Sequence, residues 1–307
     1  MKRKVISMLA ILSLGAVVLA GCGTKAKGNG MQKVYLITMD QMDQHWVTVD
    51  TGAKKAAEEL GGVEYIWLAP DVKDDAKQIE SINNAVAGGA NAILLAANGP
   101  DAVTSALKEA DAAGVKIIYV DSPADFPAIQ TLATDNQAAG KTAGEEMLAA
   151  LIAKEITEGK LGIVSVNAAT ASTVSREKGF RAAFEGTKFE ILETQYGDGD
   201  AAKSTDIAAN YITEGVVGIF GANEGSTVGA GNAIQEAGGD VIGVGFDKSD
   251  TILELIKNGN LLATMAQNPD VMGYEGVKVA AKALKGEEIK EKNVDTGVSV
   301  INAASLK

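Results

Sequence analysis

Thiols, imidazoles and prolines are scarce in this chain. Its 307 residues include one Cys, one His and five Pro, with only two Trp. A lone Cys excludes an intrachain disulfide and a Cys-based zinc or iron–sulfur site. A lone His leaves little material for the nucleophile–base sets of hydrolases, and no Gly-x-Ser-x-Gly occurs. The glycines from Gly225 to Gly231 make no dinucleotide fingerprint with a ribose-binding acid at the right distance. Paired carboxylates of the glycosidase kind stay open on paper. Asp198-Gly-Asp200 looks like a scrap of a calcium loop but lacks the remaining ligands, notably a Glu at the twelfth position, so it reads as a turn. Positive charge is also short: 28 Lys and Arg against 40 Asp and Glu give a formal net charge of -12. An acidic chain repels phosphate backbones, so nucleic acid is not an expected partner. The reading is of a protein without cofactor or metal that is not an enzyme.

What is present begins with an export signal. Residues 1–21 carry Lys2, Arg3 and Lys4 ahead of an apolar run from Ile6 to Val18, the layout of a signal peptide. The run is too short, with the wrong flanks, for a spanning helix. It ends in Leu19-Ala-Gly-Cys22, which resembles the bacterial lipobox, whose Cys becomes the lipidated first residue of the mature protein. A lone thiol is more often a buried small hydrophobe, but the polar run Gly23–Gly30 after Cys22 has nothing to pack and reads as a flexible tether. Residues 22–32 are therefore assigned as a lipidated tether. The expected location is extracytoplasmic and lipid-anchored to the cell membrane, on a Gram-positive surface or in a periplasm.

The remaining residues, about 270, allow one large or two medium domains. They alternate regularly. Strand-like runs at Val34–Thr38, Tyr65–Ala69, Ala92–Ala96, Ile117–Val120 and Thr131–Thr134 are separated by helical patterns at Thr48–Leu60, Ala76–Ala87 and Ala102–Ala113. After a long helix over Ala138–Ile156 the cycle restarts, with strands at Gly162–Asn167, Glu190–Tyr196, Val217–Phe220, Val241–Phe246 and Ala263–Gln267. A terminal strand is expected near Asp295–Ile301. Such alternation implies α/β architecture with parallel sheets covered by helices on both faces. Two runs of it imply two doubly wound, Rossmann-like lobes.

Nearly every strand ends in Asp, Asn or Gln. The first leads into Met39-Asp-Gln-Met-Asp-Gln-His-Trp46, read as a loop to Gln44 and a helix from about Val47. Asp121, Asp135, Asn167, Asn223, Asp247 and Gln267 close later strands. Any one of these is at least as well explained as a helix N-cap. Together they line the carboxyl edges, where open α/β sheets bind ligands. Carboxylates and amides suit vicinal hydroxyls, and an aromatic plane beside them suits a polyhydroxylated ring.

Several segments carry a resemblance in order and spacing. They are Leu132-Ala-Thr-Asp-Asn136 with Gly140, Ser175-Arg-Glu-Lys-Gly-Phe180, Ile219-Phe-Gly-Ala-Asn-Glu224, Val244-Gly-Phe-Asp247 and Ala263-Thr-Met-Ala-Gln-Asn-Pro-Asp270. From about Lys33 onward the chain resembles the ribose/galactose-binding group of type I periplasmic binding proteins, the capture components of bacterial ABC importers. The resemblance implies two lobes joined by a three-crossover hinge, with boundaries at 33–134 plus 268–294 and 135–267 plus 295–307. It implies capture of a monosaccharide, hexose or pentose, by hinge closure, and delivery to an ABC permease by a monomeric protein. The alternative within the fold is a receptor for a polyol or furanosyl signalling molecule that feeds chemotaxis or quorum sensing. Repressors of the same fold need an N-terminal helix-turn-helix, where this chain has a signal segment.

Carried over position by position, the resemblance points to Asp121, Arg176, Asn223, Asp247 and Gln267 as polar ligand contacts. Asp43 falls near the polar residue of the first loop, and His45 and Trp46 fall on aromatic positions that sandwich the sugar. Taken alone, Arg176 is a surface ion pair within Arg-Glu-Lys, Trp46 a core residue, Gln267 a hinge residue and His45 a packed side chain. Two departures matter. Ser122 stands where ribose binders carry Arg, and the Gly199 region stands where they carry an aromatic lid. The expectation is a roomier site for a hexose or a polyol, with Asp200 or Asn98 as sources of replacement contacts.

Overall fold

A computed structural model describes residues 31–307; the signal segment and most of the tether, Cys22 included, lie outside them. The first half of the described chain runs β1 (Gln32–Ile37), α1 (Gln44–Leu60), β2 (Val63–Leu68), α2 (Asp75–Ala87), β3 (Ala92–Leu95), α3 (Thr104–Ala112), β4 (Lys116–Val120) and β5 (Thr131–Ala133). The second half runs α4 (Asn136–Ala153), β6 (Glu158–Ser165), α5 (Ala171–Ala183), β7 (Lys188–Ile191), β8 (Gln195–Tyr196), α6 (Ala201–Thr213), β9 (Val216–Gly221), α7 (Glu224–Glu236), β10 (Ile242–Phe246), α8 (Asp250–Lys257), β11 (Ala263–Gln267), α9 (Pro269–Leu284), β12 (Asn293–Asp295) and β13 (Val298–Asn302).

These strands form two sheets. The first has the order β12-β5-β4-β3-β1-β2, and all its pairs are parallel. The second has the order β13-β11-β10-β9-β6-β7, with β8 also on β6, and only β13 is antiparallel. Parallel strands covered on both faces must be apolar throughout; β3 and β10 are buried at every position. In each sheet the strand order reverses beside the first strand of its set, between β1 and β3 and between β6 and β9. Ligands of doubly wound sheets bind outside the carboxyl ends of the strands at that switch point.

Each sheet is packed on both faces. In the first, Leu36, Leu94, Ile118 and Val120 meet α1 and α9, while Ile37, Ile93 and Leu95 meet α2 and α3. In the second, Leu161, Phe220, Val244 and Phe246 meet α4 and α5, with Phe180 of α5 stacked on Phe220 at 4.5 Å. Val164 and Ile219 face α6 and α7. Burial of each such side chain stabilises the fold by about 1.5–3 kcal/mol. The pairing of α4 with α5 depends on glycine: a Cβ at Gly140 would lie 2.0 Å from the Arg176 carbonyl oxygen, and one at Gly179 would lie 2.0 Å from that of Gln137. This close approach fixes where Arg176 leaves its helix.

The chain passes between the sheets after β5, after β11 (with α9 packing on α1 and β4) and after β12. The passages touch one another. Thr296 N donates to Ala133 O at 3.0 Å, Asn268 Nδ2 to Thr296 O at 2.8 Å, and Asp135 N to Asp295 Oδ1 at 3.1 Å.

Some elements depart from the sequence expectation. Helix α1 begins at Gln44, so His45 and Trp46 sit in its first turn rather than before it. The strand expected over Glu190–Tyr196 is broken into β7 and β8, because Arg181 Nη2 takes the Leu192 carbonyl and Tyr211 Oη the Glu193 carbonyl. The terminal strand is likewise two: Asp295 ends β12 in the first sheet, Gly297 turns with φ 82°, and β13 joins the second.

Candidate functional site

Asp121 and Asp247 end β4 and β10, and both have left-handed backbones, with φ 62° and 72°. A non-Gly residue in this region costs energy and persists where the surroundings over-determine it, often at functional sites. The surroundings match. Asp121 N donates to Leu132 O at 2.9 Å and Asp247 N to Met265 O at 3.0 Å, each across to the next strand. Both carboxylates are buried and point into the cleft between the sheets.

His45 stands between them. Its Nε2 lies 3.1 Å from Asp121 Oδ2 and its Nδ1 3.5 Å from Asp247 Oδ1. The ring N–H directions miss both oxygens, so neither nitrogen makes a proper hydrogen bond, and the contact is mainly electrostatic. Burial pushes the imidazole pKa down, but the charges of Asp247 and Asp121 outweigh it and raise it to about 9. Burial alone would raise the Asp121 carboxyl; contact with His45 and the charges of His45 and Arg176 hold it below the usual value.

Arg176 is not the surface residue its neighbours Glu177 and Lys178 would suggest. It is 2% exposed. Its Nε donates to Asn136 Oδ1 at 2.8 Å and its Nη1 to Ala222 O at 3.0 Å, with the guanidinium 4.1 Å from the Phe246 ring centroid. The remaining Nη2 lies 3.7 Å from Asp121 Oδ2 and has no hydrogen-bond partner among the described residues. Glu177 pairs with Arg181 instead.

Asn223 and Gln267 divide their amides between structure and cleft. Asn223 Oδ1 caps α7 by accepting from Ser226 N and Oγ, which leaves its buried Nδ2 without a partner among the described residues. Gln267 Nε2 donates to Asp247 Oδ1 at 2.6 Å, and its buried Oε1 is left over in the same way. The cap and contact readings of these residues are therefore compatible. Trp46 is both core and wall: it packs with Val34, Val49 and Met272, and its Nε1 donates to Asp40 Oδ2 at 3.2 Å.

Asp43 occupies the N-cap position of α1 but caps nothing. Its carboxylate is drawn to Lys73, 2.9 Å away, which also pairs with Asp40. Burial pushes the Asp43 carboxyl up to about 6, against the pull of Lys73. The open N-terminus of α1 is capped from the opposite sheet. Glu224, first residue of α7, accepts from Gln44 N and His45 N, each at 2.9 Å. Burial and the nearby charge of Asp43 raise the Glu224 pKa to about 7. Sequence reasoning missed Glu224 and Lys73. Glu224 follows Asn223 just after β9, but its α1 partner is 180 residues away in the chain. Lys73 lies in an ordinary-looking charged loop.

Asp43, His45, Trp46, Asp121, Arg176, Asn223, Asp247 and Gln267 thus line one cavity, together with Met39, Lys73, Val166, Thr170, Ser172 and Thr173. Its free volume is about 20 Å³, room for one water. The expectation of a roomier site is corrected. Ser122 is buried outside the cavity and accepts from Ser172 N at 3.3 Å. The space beside Gly199 is taken by Lys73, whose Nζ lies 2.7 Å from where a Cβ would stand. Asp200 and Asn98 supply no contacts in the cavity: Asp200 caps α6 through Lys203 N, and Asn98 bonds Asp75 and Thr170. Among the described residues no group of three or more His, Cys, Asp or Glu is arranged to hold a metal.

The family described as the periplasmic binding protein domain matches residues 34–288. The ribose import binding protein of Salmonella typhimurium is 31% identical over 94% of this chain and 95% of its own length. That of Haemophilus influenzae is 30% identical over 93% of this chain and 97% of its own. Among solved structures, a carbohydrate transporter solute-binding protein from Agrobacterium radiobacter in complex with D-arabinose superimposes with a TM-score of 0.85, 32% identity and coverage of 90% and 95%. An ABC transporter solute-binding protein from Agrobacterium vitis with bound D-fucose gives 0.84, 31%, 89% and 96%. With the two switch-point sheets, the linked passages and the polar cavity between them, these likenesses establish that the chain belongs to the periplasmic binding protein family of type I sugar-binding proteins.

Proposed function

We propose that this protein captures a monosaccharide between its lobes, 33–134 plus 268–294 and 135–267 plus 295–307, and presents it to the permease of an ABC importer. One observation carries the reading: buried polar atoms of the second lobe, with hydrogen-bonding capacity left over, converge on a cavity that Asp121 of the first lobe also lines. These are Arg176 Nη2, Asn223 Nδ2 and Gln267 Oε1, beside the carboxylates of Asp121 and Asp247. Buried groups of this kind are normally satisfied, and vicinal hydroxyls satisfy donors and acceptors at once. Trp46 supplies the apolar face. A ligand that touches both lobes stabilises closure, and closure is the signal read by the permease. The relatives named above are binding proteins, and no reaction is assigned to the chain.

The finer parts of the reading rest on the sequence. The lipobox-like Leu19-Ala-Gly-Cys22 supports thioether lipidation of Cys22 and anchoring outside the cytoplasm. Among the described residues no helix is long and apolar enough to cross a membrane. A monomer suffices, since one chain supplies both walls of the cavity. The test is a thermal-shift screen against aldoses, polyols and amino acids. A ligand that binds only the folded state raises the melting temperature through RT ln(1 + [L]/Kd). A shift of several degrees with a sugar supports the reading; shifts confined to amino acids would overturn it.

A further inference from the structure

The His45 imidazole fills the gap that a ligand needs. It is buried, lies within 3.1 Å of Asp121 and 3.5 Å of Asp247, and leaves a free volume of about 20 Å³. Small-molecule pockets run to roughly 300 Å³ or more. Even with the lobes parted, a ligand that bridges Asp121 and Asp247 on closure has to take the place of the imidazole. What it replaces is a cation, because the ring holds its proton to about pH 9.

The other charges in the cavity cannot cover that loss. Lys73 is committed to Asp40 and Asp43. Arg176 lies on the Asp121 side, tied to Asn136 and to the Ala222 carbonyl. Asp247 has no cationic partner other than His45 among the described residues; its remaining side-chain contact is the neutral Gln267 Nε2. Without His45, the Asp247 corner presents its carboxylate and the free Gln267 Oε1, which are acceptors only. The donors left over are Arg176 Nη2 and Asn223 Nδ2, the former 3.7 Å from Asp121 Oδ2. Arg176 thus offsets the Asp121 carboxylate, while the Asp247 corner is left with acceptors only and asks for positive charge.

We propose, on the sugar-capture reading above, that the preferred ligand is an amino sugar whose ammonium replaces the His45 imidazole beside Asp247 and Gln267. A neutral hexose would leave the Asp247 carboxylate buried without a counter-charge, which is costly. An ammonium restores the pair with charge-assisted hydrogen bonds, roughly twice as strong as neutral ones.

The test is calorimetric titration of the protein at neutral pH with glucose, galactose, mannose and allose, each beside its 2-amino-2-deoxy and 2-acetamido-2-deoxy counterparts. The acetamido sugar keeps the nitrogen but not the charge. An amine bound at least tenfold tighter than its hydroxyl parent, with the advantage absent from the acetamide and reduced to about one in Asp247→Asn, is the expected result. Asn tolerates the left-handed backbone at this position, so the variant should fold. A neutral sugar bound as tightly as its amine overturns this proposal and leaves sugar capture standing. No binding by any member of the panel also overturns this proposal, and sugar capture then stands or falls on the thermal-shift screen with aldoses, pentoses included.

Discussion

Asp121 and Asp247 occupy the same place in the two sheets. Each follows the strand two along from the switch point, adopts a left-handed backbone and donates its N–H to the neighbouring strand. That geometry aims both carboxylates at one point, which His45 now holds. It also decides which substitutions are informative. Asn adopts positive φ readily and Ala does not. Asp247→Asn should keep the melting temperature within a few degrees and weaken sugar binding at least tenfold. Asp247→Ala should lose the same affinity and, in addition, about 1 kcal/mol of stability. Unchanged affinity in Asp247→Asn would remove the residue from the site.

Glu224 is an inter-lobe clasp. It caps the α1 N-terminus across the cleft with two hydrogen bonds. A lost cap costs about 1 kcal/mol, and a charged hydrogen bond roughly 1.5–3 kcal/mol. Glu224→Ala should therefore lower ligand affinity about tenfold while both sheet cores, which it does not enter, stay intact. In solution scattering the variant should have a larger radius of gyration. An unchanged radius together with unchanged affinity would show that the clasp contributes nothing to closure.

The buried ionisable groups set an unusual pH dependence. Glu224 is raised from 4.5 to about 7 and His45 from 6.5 to about 9. In both windows the folded protein holds more protons than the unfolded chain, so stability falls as pH rises. The contribution of Glu224 is full below pH 4.5 and is lost by about 7. That of His45 is full below 6.5 and is lost by about 9. Asp121 and Asp40, both lowered, act oppositely and lose their contribution only in acid below their ordinary 3.8. The melting temperature should thus decline from about pH 5 to pH 9. Glu224→Gln should flatten the lower part of the decline and His45→Ala the upper part. A melting temperature that rises over this range would contradict the assignment.

The two-sheet architecture was legible because period and apolar content report it locally. Runs such as Ala92–Ala96 and Ile117–Val120 can only be covered strands, and strand ends closed by Asp, Asn and Gln marked the cleft edge. Of the strand ends singled out, Asp121, Asn223, Asp247 and Gln267 meet in one cavity, whereas Asp135 caps α4 and Asn167 turns its own loop. What stayed hidden are properties of pairs distant in sequence. Glu224 caps a helix in the other sheet, Lys73 fills the space beside Gly199, and the break between β7 and β8 is made by Arg181 and Tyr211. For Glu224 and for Lys73 no window along the chain contains both partners. Arg176 was misleading alone for the same reason: its burial comes from Gly140 and Gly179 letting two helices touch.

Lys73 offers the sharpest stability test. Its side chain is only 6% exposed and its ammonium sits between Asp40 and Asp43, while Asp40 is also tied to Met42 N, Asp43 N and Trp46 Nε1. Removing one member of a buried ionic cluster leaves uncompensated charge and typically costs 3–5 kcal/mol, roughly. For a chain of this size that is a fall of about 10 °C in melting temperature. Lys73→Met should show it at neutral pH and much less at pH 4, where Asp43, already raised to about 6 by burial, is protonated. Because Asp40 holds the approach to α1 and Trp46 within it, and α1 carries His45 and Trp46 into the cleft, the same variant should also weaken ligand binding. A variant as stable as the parent at both pH values would mean that Lys73 is a solvated surface charge, contrary to its position in the fold.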